Sequence, residues 1–240
     1  MTEVIPAKEI KPRLEILIAE ADVVNPNLAN RLRQISRWLK DTKPGSLTKK
    51  RELMFFLREL IEDVEIWLAL EEVEPLDKQL ALSELTPTER YWFTFLFPTW
   101  LTQYDPKIDT WKKKLMAGKF EATDRPVLNL LSNQIKNSLG SVLLRYICDL
   151  SMATDLMLSS SDGKLLCVQL TTSDDRLTVD KKEDWLKTVQ RWRIQRALFL
   201  SYNPRRNTGS QLDVIIAVGN YLLEKCESLP DSCYIEYGLS

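Results

Sequence analysis

Three polar residues are spaced so that a small sheet would gather them: Asp155, Gln169 and Thr171. Asp155 opens the run Asp155-Leu156-Met157-Leu158-Ser159, and Gln169 and Thr171 close the run from Lys164 to Thr171. The linker between them is Ser160-Ser161-Asp162-Gly163. An Asp-Gly pair between apolar runs is a strong hairpin signal. Side chains alternate along a strand, so 169 and 171 point to one face. Asp155, on the neighbouring run, faces the same way, and the three converge at an open sheet edge. Mg²⁺ takes oxygen ligands, usually one or two of them carboxylates. A cation held there beside a scissile phosphate would support in-line displacement. Asp174 and Asp175 follow closely, in a predicted loop.

The next segment has the charge such a substrate requires. Lys181 to Arg206 holds eight bases against Glu183 and Asp184, a local excess of +6 in a chain of net charge −1. Its helical part, predicted over 181–195, places Trp185, Val189 and Trp192 toward a core and leaves its Lys and Arg to track a phosphate backbone. Arg205 and Arg206 follow Tyr202-Asn203-Pro204, where a ring and two guanidiniums can stack and pair phosphates. Read without a ligand, the same helix is a solvated amphipathic one.

Other chemistries are excluded. The 240 residues contain no histidine, which removes the commonest general base and metal ligand. There is no GxxxxGK[ST], no GxGxxG and no GxSxG. Cys148, Cys167, Cys226 and Cys233 form no CxxC pair, so they read as reduced, mostly buried thiols rather than a zinc site. The polar opening MTEVIPAKEI lacks a signal-peptide core, and the uncharged run Tyr91 to Tyr104 is too short for a bilayer. The expected location is the cytoplasm.

The elements that position these residues divide at a soft boundary within 117–126. Residues 1–125 read as a helical region. Helices are predicted over 8–22, 28–40 and 47–72, with a turn at Lys43-Pro44-Gly45-Ser46. From Glu59 to Glu89 there are ten acids and one base, Lys78. That is a solvated face or a docking surface for a basic partner. Thr86-Pro87-Thr88-Glu89 is a capping box before an aromatic run, which Pro98 should end or kink. Those aromatics read as core, with an exposed docking patch for a protein or a membrane surface as the rival. Residues 126–240 read as a small α/β domain: a helix over 127–149 interrupted at Gly140, the hairpin, the basic helix, a strand over 197–202, an apolar helix over 212–227 and a last edge strand over 234–237. The fold class is therefore α/β, or α+β overall, with a mixed sheet.

Helix, strand opening with Asp, turn, strand ending in polar-x-polar, basic helix and strand together resemble the PD-(D/E)xK nuclease-like (restriction-endonuclease-like) superfamily over residues 127–205. The resemblance implies a metal-dependent endonuclease in which Asp155 and Gln169 bind Mg²⁺ and Thr171 holds the third motif position. It also implies that Lys187, Gln190, Arg191, Arg205 and Arg206 handle the phosphates of DNA or RNA. Gln169 stands where the family has Glu, and Thr171 where it has Lys. The loss of one carboxylate should weaken Mg²⁺ binding. The alternative is a catalytically inactive nuclease-like scaffold that binds nucleic acid, or a protein partner through residues 59–104.

Overall fold

The computed structural model describes residues 5–120, 124–171, 175–202 and 211–239. Contacts divide the chain into two compact units, Met1–Glu84 with Phe93–Ala122, and Leu85–Trp92 with Thr123–Ser240. The segment Leu85–Trp92, which a division at 125/126 leaves with the helical region, thus groups with the second unit.

The first unit is helical. It contains α1 (Ile10–Val24), α2 (Pro26–Leu39), α3 (Pro44–Leu47), α4 (Arg51–Glu72) and α5 (Pro75–Glu84). Asn25 caps α2, its side chain accepting from the N–H groups of Asn27 and Leu28. The expected helix over 47–72 is two elements, because the turn at Pro44 closes as α3 before α4 begins. Leu53, Phe56, Leu57, Leu60, Val64, Trp67 and Leu68 of α4 are buried, as the stripe required. Asp63 is buried as well, so one member of the acidic run is not on the solvated face.

Thr86 and Glu89 form the capping box of α6 (Pro87–Tyr91). A π turn (Trp92–Leu96) and α7 (Phe97–Thr102) follow. Pro98 therefore does not end the helical path. It has no N–H for the carbonyl four residues back, and the wider π turn just before it accommodates the ring. Trp92, Phe93, Phe97 and Trp100 are buried, so this part of the aromatic run is core. In the first unit Trp111 of α8 (Ile108–Met116) packs edge-on against Trp38 and Phe56, with centroids 5.1 and 5.2 Å apart.

The second unit is built on a five-stranded mixed sheet in the order β1 (Ser141–Leu143), β2 (Leu156–Ser159), β3 (Leu165–Thr171), β4 (Arg196–Tyr202), β5 (Cys233–Leu239). β2 runs antiparallel to its neighbours β1 and β3, and β3, β4 and β5 run parallel. The expected helix over 127–149 is instead α9 (Arg125–Asn137), β1 and α10 (Tyr146–Met152). Leu139 takes a positive φ of 64° and ends α9. A Cβ on Gly140 would lie 2.8 Å from the Ser159 carbonyl, so only glycine lets the chain turn in beside β2. The basic helix is α11 (Asp175–Arg191). It stops short of Gln195 because Arg193 enters the left-handed region at φ 56°. The N–H of Ile194 then reaches the Val189 carbonyl and that of Arg193 the Gln190 carbonyl, a Schellman closure.

Alternation sorts the two sheet faces. Leu156, Leu158, Leu166, Val168, Leu170, Leu198 and Leu200 join α9 and α12 (Gln211–Ser228) in one apolar cluster. Each such buried leucine contributes about 1.5–3 kcal/mol. On the opposite face Trp185 of α11 packs on Phe199 at 5.5 Å. Trp192 donates from Nε1 to the Ser151 carbonyl at 2.8 Å, tying α11 to α10.

Candidate functional site

Register decides where the candidate residues lie. Leu156 is opposite Val168, so Asp155, one residue earlier, stands beside Gln169. The Asp155 N–H donates to the Val168 carbonyl at 2.8 Å. Its carboxylate Oδ2 accepts from Gln169 Nε2 at 2.6 Å and from the Leu170 N–H at 2.5 Å. Gln169 Nε2 also donates to the Leu170 carbonyl at 3.2 Å. The amide thus turns its nitrogen, not its oxygen, toward the aspartate. The carboxylate takes the role of a missing strand partner at the end of the β2–β3 ladder.

Two residues that the sequence pattern did not single out complete the group. Ala153 adopts φ 50° after α10, and the Thr154 N–H returns to the Cys148 carbonyl. This tight reversal brings Asp155 back within electrostatic reach of Asp149 of α10. Burial, and then the Asp149 charge, push the Asp155 carboxyl well above the ordinary carboxylate range, while the Leu170 N–H pulls the other way. Asp124, just before α9, lies within electrostatic reach of Asp155 and of Lys181. Burial raises its carboxyl too, against the attraction of Lys181. Lys181 Nζ sits 3.5 Å from Thr171 Oγ1. An ammonium therefore stands at the position where the sequence has threonine, supplied by α11 rather than by β3. The local signal for Asp149 was its place six residues before Asp155, masked by reading 127–149 as one interrupted helix.

Asp155, Gln169 and Thr171 are thus brought together on one face, but the edge is more closed than an open cleft. Asp155 is 9% exposed and Thr171 7%. Asp149 and Gln169 are half-buried and Lys181 is exposed. Lys187, Gln190 and Arg191 are exposed on α11. At 1.5 Å per residue they lie about 9 to 15 Å beyond Lys181 along the helix. Because α11 joins parallel strands, it runs from the end of β3 back to the start of β4, and these side chains recede from Asp155. Lys187 faces Glu183 at 3.8 Å. Arg205, Arg206 and Asp174 lie outside the described residues, as does the side chain of Asp175.

Among the described residues no three or more His, Cys, Asp or Glu side chains are grouped to hold a metal ion. The local set is a pair, Asp149 and Asp155. That meets the one or two carboxylates Mg²⁺ uses when waters and phosphate oxygens complete its shell. A separate cleft of about 230 Å³ opens at the other end of β3, lined by Tyr91, Lys164, Gln195, Arg196 and Asp231 among others. There the buried Arg196 guanidinium is held by the carbonyls of Leu165 and Cys226.

The chain matches no protein-family model, no curated protein and no solved structure significantly. Among the described residues no helix is long and apolar enough to cross a membrane.

Proposed function

We propose that the second unit is a Mg²⁺-dependent phosphodiesterase acting on nucleic acid. The observation that carries this reading is the Asp149–Asp155 carboxyl pair, hydrogen-bonded to Gln169, with the Lys181 ammonium at Thr171. The order of helix, hairpin, basic helix and strand, which prompted the nuclease resemblance, supports it as well. Asp149 and Asp155 would hold the cation. Bound there, Mg²⁺ supplies an activated water and charge neutralisation at the phosphate. Gln169 fixes the Asp155 carboxylate. Lys181 offers its ammonium to charge developing on the phosphate oxygens. The exposed Lys187 and Arg191 contact phosphates further along the strand.

The second reading is a nuclease-like scaffold that binds nucleic acid without cutting it. The use of Asp155 Oδ2 to close the β2–β3 ladder favours it, since that oxygen already has two donors.

Plasmid DNA and RNA, incubated with Mg²⁺ or Mn²⁺ beside the Asp155→Asn variant, separate the two. Cleavage lost in the variant, with a rise in the thermal midpoint of the wild type on adding Mn²⁺, supports the enzyme. Salt-sensitive binding with no cleavage by either protein supports the scaffold.

A further inference from the structure

Helix α5 is held in place without a core. None of its ten residues is buried. A helix this short is marginal in water on propensity alone, and most helices in proteins owe their stability to a packed apolar face. Part of its apolar side chain surface is exposed. Leu76 and Leu80, one turn apart, are 78% and 63% exposed. Val73, just before the helix, and Ile66 of α4, one heptad earlier, are each 41% exposed, and Phe55 is 39% exposed. Val73 is extended and ends α4, so the exposed pair Leu76 and Leu80 follows it on α5.

The charge around Leu76 and Leu80 is mostly acidic. Glu71, Glu72, Glu74, Asp77 and Glu84 are exposed beside it. Lys78, the one base between Glu59 and Glu89, is already paired with Glu71 at 2.7 Å. An acidic rim repels nucleic acid and anionic bilayers, so neither suits this surface. Apolar anchors at i, i+4 spacing within an acidic rim complement a helix that carries leucine-like side chains on one face and Lys or Arg beside them.

We propose that α5 and the adjoining end of α4 form a docking surface for a basic amphipathic helix of a protein partner. Leu76 and Leu80 are the central anchors, and the flanking acids select the charge and the orientation. The surface lies wholly within the first unit and does not depend on the phosphodiesterase reading.

The test uses the full chain and a fluorescein-labelled 18-residue Leu/Lys/Ala peptide with its leucines on one helical face. Two control peptides accompany it: one of the same composition with leucines spread around the helix, and one with Glu replacing Lys. Anisotropy titrations are run on the wild type, on Leu76→Ser/Leu80→Ser, and on Val23→Ser as an exposed-residue control. Saturable binding of the first peptide is expected, weakening with salt, about tenfold weaker in the double variant and unchanged in the Val23 variant. The thermal midpoint of the double variant should match that of the wild type, because both leucines are already exposed. Equal binding of either control peptide overturns the proposal, as does undiminished binding by the double variant or no saturable binding at all. A dimer in sedimentation that Leu76→Ser/Leu80→Ser dissolves would make a second copy the occupant. Binding to anionic vesicles in preference to the peptide would make it a lipid surface. Either result also overturns the proposal.

Discussion

Asp155 and Gln169 stand side by side at the end of the β2–β3 pair, joined by a 2.6 Å hydrogen bond from the glutamine amide to the aspartate carboxyl. Asp149 of α10 lies within electrostatic reach of the same carboxyl. Glutamine suits this place better than glutamate would without a cation, since a further carboxylate would add repulsion.

The raised Asp155 carboxyl makes the site sensitive to pH. The folded Asp155 carboxyl is raised above its unfolded value, by burial first and by Asp149 second. Its stabilising proton is therefore fully present below the unfolded value of about 3.9 and lost as pH rises through the folded one. In Asp155→Asn the amide oxygen still accepts from the Leu170 N–H, and the side chain carries no charge at any pH. The difference in thermal midpoint between wild type and variant, measured without divalent cations from pH 8 to pH 4, should shift toward the wild type as pH falls. A difference that stays flat would mean that the Asp155 carboxyl is not raised in the folded protein.

Lys181 and Lys187 should separate by function. If Lys181 neutralises charge on the reacting phosphate, Lys181→Met lowers the single-turnover cleavage rate about 10²-fold, the scale of one lost electrostatic donor. Lys187→Met, two turns further from Thr171, should weaken substrate binding slightly and leave that rate within about threefold. Equal effects on the rate would place the reacting phosphate elsewhere along α11.

Gly140→Ala should be costly although the residue lies outside the site. The added methyl would meet Ile135 Cγ2 at 2.7 Å and the Ser159 carbonyl at 2.8 Å. The backbone carbonyl cannot step aside as a side-chain tip can. A loss of about 2 kcal/mol in urea unfolding is expected.

The thiols should differ in reactivity. Cys148, Cys167 and Cys226 are buried, and burial pushes the Cys167 thiol up to about 12. Cys233 on β5 is half-buried. A thiol-disulfide reagent at pH 8 should titrate about one cysteine quickly in the native protein and all four in denaturant. Rapid modification of two or more would show that the sheet opens readily.

Local and periodic features were legible in the chain. The capping box at Thr86 and Glu89, the Asp162-Gly163 hairpin, the buried face of Trp185, Val189 and Trp192, and the alternation that sets 155, 169 and 171 on one side all follow from interactions within a few residues. The boundaries that failed were those set by distant groups. The interruption at Gly140 was legible, but its partner, the Ser159 carbonyl, lies far off in sequence, so 127–149 read as one interrupted helix rather than α9, β1 and α10. Pro98 predicts an end or a kink of the helix, and which of the two was not legible because the neighbouring π turn is not written in residue types.

Sequence alone determined which residues could bear oxygen ligands and positive charge, and that strand alternation would gather three of them. Tertiary structure decided the company they keep. The left-handed turn at Ala153 folds Asp149 onto Asp155, and the entry of α11 beside the end of β3 brings Lys181 to Thr171 while carrying Lys187, Gln190 and Arg191 away. The physical reason is range: spacing along one element fixes which way a side chain points, but the distance between charges on separate elements is set by how those elements pack.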